Sequence, residues 1–136
     1  MNLFSWTKRK EKKYQRSERV AFNILCIRFP DGVQPDVAIE IRDMLNESDA
    51  DEWQFVNHTM FFSFFKLNTS GRERAEKLMK NLKKYSDVHT ELGMRTAAAE
   101  GLLVVGYDDR DQICFGPTGM AMNEAMEKVC KEPSND

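Results

Sequence analysis

Apolar residues along this chain follow two periods, one of strands and one of helices. Residues 20–29, VAFNILCIRF, are dense in β-formers and stop at Pro30-Asp31-Gly32, which predicts a strand closed by a turn. Pro35 suits a first helical turn, and Val37, Ala38, Ile41, Met44 and Leu45 then recur at helical spacing. The polar run NESDADE breaks that helix. Residues 53–56 predict a second strand, NHT a turn, and MFFSFFKL at 60–67 a third strand. That strand is apolar on both alternating faces, with Met60, Phe62 and Phe64 on one and Phe61, Phe65 and Leu67 on the other. A strand of this kind is normally covered on both sides.

Ser70-Gly-Arg-Glu73 reads as a capping box, followed by a helix with Ala75, Leu78, Met79 and Leu82 on one face. Lys77, Lys80, Lys83 and Lys84 read as its solvated side. The stretch RTAAAEGLLVVGYDDRDQICFGP at 95–117 predicts three short strands, broken at Glu100-Gly101 and at Asp108-Asp109-Arg110-Asp111. A last helix places Met122, Ala125, Met126 and Val129 inward and stops at Pro133. The expected order is β-α-β-β-α-β-β-β-α, whose first six elements are ferredoxin-like. The expected fold is therefore α+β, an antiparallel sheet with helices on one face and an extra C-terminal hairpin and helix. The other face needs a cover. A second copy of the chain is the expected one, meeting it at Phe62 and Phe65.

Composition narrows the class. At 136 residues, 41% hydrophobic and 31% charged, the chain fits one globular domain with its own core. The expected organisation is a basic arm over 1–19, one domain over 20–132 and a tail over 133–136. The net charge of −2 is uneven. Lys8, Arg9, Lys10, Lys12, Lys13, Arg16 and Arg19 against Glu11 and Glu18 make the arm +5 and leave the rest at −7. Such an arm suits anionic lipid or nucleic acid, or serves as a solvated tail. Cys26, Cys114 and Cys130 are far apart with no C-x-x-C pair. They read as reduced thiols packed as small core residues, and the expected compartment is the cytoplasm. Neither a signal peptide nor a membrane-spanning run is expected. His58 and His89 read as turn or surface residues, and the Asp108–Asp111 run as a solvated hairpin tip. No cofactor motif stands out, and no cofactor or metal is expected.

Residues 92–128 resemble the carboxyl half of the class III adenylate and guanylate cyclase catalytic domain. That family carries R-I-G-x-x-x-G-x-x-x-x-G, an acidic hairpin tip, a strand ending in Gly, and a helix opening N-x-x-x-R. Here Arg95, Gly101 and Gly106 keep the spacing, YDDRDQ fills the tip, Phe115-Gly116 ends the strand and Asn123 lies in the helix. Upstream, NILCIRF and FVNHTMFFSF fall where the family has F-x-D-I and its G-D hairpin. The resemblance implies metal-holding carboxylates near Cys26 and His58 and an arginine at Glu127. Those three positions lack the catalytic chemistry, since two acids hold the magnesium ions and the arginine faces the phosphate. Asn123 alone keeps a nucleotide-binding position. The implied function is a non-catalytic, regulatory module that binds or dimerises, as the family's catalytic domains do. Two other readings remain open, an RNA-binding domain that stacks bases on the Phe residues at 61–65 and a residual nucleotide-binding enzyme.

Overall fold

The computed structural model describes residues 14–131. The chain runs β1 (Tyr14–Arg28), α1 (Pro35–Glu47), β2 (Glu52–Val56), β3 (Met60–Lys66), α2 (Thr69–Val88), a 3-10 turn (Thr90–Leu92), β4 (Arg95–Asp108), β5 (Ile113–Thr118) and α3 (Met120–Cys130). The strands form one antiparallel sheet in the order β2-β3-β1-β4-β5. Elements β1 to β4 with α1 and α2 have the ferredoxin-like order, and β5 with α3 extends it.

Local chemistry explains most boundaries. Pro35 occupies the first turn of α1, where its missing N–H costs nothing. Asn57 and His58 both take left-handed backbone angles, and Thr59 N donates to Val56 O at 3.2 Å, closing a tight hairpin between β2 and β3. The start of α2 differs from the expected capping box at Ser70. Asn68 is the cap, its side-chain oxygen accepting from Gly71 N at 2.7 Å, so Ser70 already lies in the first turn. A Cβ at Gly71 would run into the carbonyl of Lys66, which ties this corner to glycine.

The stretch at 95–117 holds two strands rather than three. Glu100 and Gly101 lie inside β4, opposite Asn23 and Phe22. Gly101 is there for packing, because a Cβ on it would sit 2.5 Å from the Cβ of Ala121 on α3. A residue read as a strand break is instead a notch that receives a helix. The described part of β1 also begins before the expected Val20. Tyr14 to Arg19 pair with the Val104–Asp108 end of β4, which offers them backbone partners. Residues 1–13, Pro133 and the tail at 133–136 lie outside the described residues.

Two cores flank the sheet. On the first face, Leu25, Ile27, Phe61 and Phe65 pack under Ala38, Ile41 and Leu45 of α1 and Ala75, Leu78 and Leu82 of α2. On the second, Phe22, Ile24, Phe62 and Phe64 pack with Leu103, Val105 and Tyr107 and with Ala125 and Val129 of α3. The alternation read along β3 is thus correct, but both of its faces are covered within one chain. Phe62 is 4% exposed and Phe65 fully buried. That burial removes the reason for placing a dimer contact at Phe62 and Phe65: the second face is closed by α3, and Phe65 belongs to the first.

The second face is also concave. Gln54 lies on it, alternating with Trp53 and Phe55 of the first core, and its amide donates to the carbonyl of Gly116 on β5. A bond between the two border strands requires the sheet to curl around its second core.

Candidate functional site

Curling leaves the opposite side of the β1-β4-β5 ribbon facing outward. β4 residues alternate strictly, with Leu103, Val105 and Tyr107 inward. Leu102 and Val104 point the other way and are 61% and 37% exposed. α1 and α2 do not reach this part of the first face. Val104 pairs with Arg19 and Leu102 with Ala21. Phe115, 53% exposed, stands on β5 opposite Gly106. A register shift between Tyr14 and Arg16 turns Tyr14 to the same side, where it is 55% exposed. The Tyr14 ring lies over Gly106 beside Phe115, since a Cβ on Gly106 would come 2.9 Å from Tyr14 Cε1 and 3.0 Å from Phe115 Cβ. The result is a contiguous apolar row across three strands, bordered by the exposed Arg19 and Glu100. The sequence carried one sign of it. LLVV at 102–105 is apolar at consecutive positions, so both faces of this part of β4 carry apolar side chains.

The hairpin tip beside this row is exposed from Asp109 to Gln112, as expected, but is anchored from inside. Asp108 is buried, and its Oδ1 accepts from Arg110 N at 2.8 Å and Gln112 N at 2.9 Å, which makes it the organiser of the turn. Asp111 receives Arg16 Nη1 at 2.7 Å, and the same guanidinium lies 4.5 Å from the centre of the Tyr107 ring. The arm residue Arg16 therefore fastens the tip to β1.

The residues singled out by the cyclase resemblance are spread over three settings. Cys26 is fully buried in the second core, and its Sγ is 3.7 Å from Met60 Sδ. Burial pushes the thiol up to about 12, and Cys130 adds to the rise while Arg28 opposes it. A protonated thiol in an apolar core is not a metal ligand. His58 sits in the exposed hairpin turn beyond the end of β1, where its backbone carbonyl accepts from Val33 N. Asn123 and Glu127 are exposed on α3, one turn apart, on its outward side. Among the described residues, no three His, Cys, Asp or Glu side chains are grouped to hold a metal.

The Phe residues at 61–65 are buried on both sides of β3, so none has a ring face open to a base. Of the cysteines, Cys26 is a core residue as expected, whereas Cys130 is exposed. His89 ends α2, with its ring 4.2 Å from that of Tyr85. Among the described residues no helix is long and apolar enough to cross a membrane. The two outermost strands are poor templates for another strand. β2 is short, and β5 carries Pro117, which has no N–H to donate.

No protein-family model and no curated protein matches the chain.

Proposed function

We propose that this chain is a non-catalytic, cyclase-like regulatory module that acts by pairing with a second copy through the outer face of its β1-β4-β5 ribbon. The observation that carries the pairing is the exposed row of Tyr14, Leu102, Val104 and Phe115. Burying one such side chain contributes roughly 1.5–3 kcal/mol, so a row of them favours association. Charge supports a second copy as the occupant. Arg19 and Glu100 border Leu102 on adjacent strands, two residues from it along the sheet in opposite directions. A two-fold axis lying in the contact and bisecting the line between them passes beside Leu102. It brings Arg19 of one copy to Glu100 of the other, twice, and sets Leu102 against its own copy.

Absence of catalysis rests on Cys26, His58 and Glu127. A buried thiol, an exposed turn imidazole and an exposed carboxylate replace two metal-holding acids and a phosphate-facing base. The experiment has two arms. Protein incubated with magnesium or manganese and ATP or GTP is expected to make no cyclic nucleotide above a blank. Turnover that disappears on mutating His58 would return the reading to an enzyme. Sedimentation equilibrium at micromolar concentration is expected to show a dimer that Leu102→Glu dissociates. A wild-type monomer at every concentration contradicts the pairing.

A further inference from the structure

A cavity of about 310 Å3 lies in the angle between the second half of α2 and the start of β4. It exists because β5 pairs with β4 only from Val104 onward, so the earlier part of β4 borders the sheet beside α2. Its floor is apolar. Leu82 is fully buried, Met94 nearly so, and Met79 half-buried. Ser86 and Thr96 add hydroxyls at the side. Lys80 and Lys83 stand at the mouth, both exposed and three residues apart on α2, which places them on neighbouring positions of one helix face. Among the described residues, no carboxylate is within ion-pair distance of either ammonium.

These groups select a ligand class. The volume is at the lower end of the roughly 300–1,000 Å3 of small-molecule sites. The lining holds no aromatic ring on which a nucleobase would stack. A sugar would lose its water to an apolar floor without enough polar partners in return. Two methionines and a leucine suit a flexible hydrocarbon chain, because unbranched thioether side chains adapt to its shape. Two unpaired ammonium groups at the mouth suit one anionic head and repel a cationic one. We infer that this cavity binds a medium-chain aliphatic carboxylate, with its chain on Met79 and Met94, which Leu82 backs from the core, and its head between Lys80 and Lys83. The lysines that the sequence presents as a solvated face thus acquire a ligand.

The test is calorimetric titration of the full chain with decanoate below its micelle concentration, with decyltrimethylammonium as a probe of equal chain length and opposite charge. Decanoate is expected to saturate one site per chain and the cation to leave the protein unchanged. Lys80→Glu with Lys83→Glu is expected to weaken decanoate about tenfold or more, with the circular dichroism spectrum preserved because both side chains are exposed. In methyl-labelled protein, decanoate is expected to move the Met79 and Met94 resonances. No saturable binding, equal binding of the cation, unchanged affinity in the double variant, or unmoved Met79 and Met94 signals would each overturn the assignment.

Discussion

Gln54 and Gly116 join the two borders of the sheet. The Gln54 Nε2 donates to the Gly116 carbonyl at 3.3 Å, although β2 and β5 stand at opposite ends of the strand order. This bond marks where the curl closes. Between the two borders, Val105 and Tyr107 of the ribbon pack with Phe62 and Phe64, and strand alternation turns Leu102 and Val104 outward. Gln54→Ala removes the donor and leaves the carbonyl to its other contacts. A loss of about 1 kcal/mol is expected, read as a lower urea midpoint with unchanged slope. A change in slope instead would mean that the ribbon opens in the folded state.

Gly101 and Ala121 form a second close approach, between β4 and α3. Gly101→Ala would place two Cβ atoms 2.5 Å apart, and overpacking of this kind costs about 1–3 kcal/mol. Ala121→Gly in the same chain is expected to recover part of that loss. Equal stability of Gly101→Ala and the parent would show that α3 does not press on β4 at this point.

The helices and the two-faced strand β3 were legible in the sequence because their signals are local. Ala38, Ile41 and Leu45, then Ala75, Leu78 and Leu82, repeat at helical spacing, and all six are buried. What misled was long-range. Gly101 resembles a break until Ala121 is placed beside it. No local pattern tells α3 which face of the sheet to take, so the cover it gives Phe62 is not legible in the sequence. The outer row is hidden for the same reason. Tyr14 belongs to it through a register shift, and Phe115 through pairing with Gly106 across a turn.

Ser63 of β3 is fully buried, and its hydroxyl has no hydrogen-bond partner. An unsatisfied buried hydroxyl carries a desolvation cost that an alanine lacks. Ser63→Ala is expected to leave stability unchanged or raise it by up to about 1 kcal/mol, measured by thermal or urea unfolding. A clear loss would show that the hydroxyl has a partner in solution.

Stability is expected to fall in alkali. Cys26 is raised from its ordinary 9.0 to about 12, first by burial and then by Cys130. Tyr85 is raised by burial and by its hydrogen bond to Glu40, and Tyr107 by burial and by Glu18. In each case the folded state holds its proton more tightly than the unfolded chain. Their contribution is complete below the unfolded values and is lost as pH rises through the folded ones. Urea midpoints are expected to be unaffected by these groups up to about pH 9 and to decline between pH 9 and 12, with a shallower decline in Cys26→Ala. An identical decline in that variant would contradict a protonated Cys26.

In the proposed pairing, two copies meet at Leu102 with Arg19 facing Glu100. Charge exchange tests it most directly, by sedimentation equilibrium of the parent, Arg19→Glu, Glu100→Arg and the double exchange at matched concentration and low salt. Each single exchange sets like charges against each other twice and is expected to shift the population to monomer. The double exchange restores both pairs and is expected to restore the dimer. A monomeric parent, or single exchanges that dimerise as the parent does, would contradict the account.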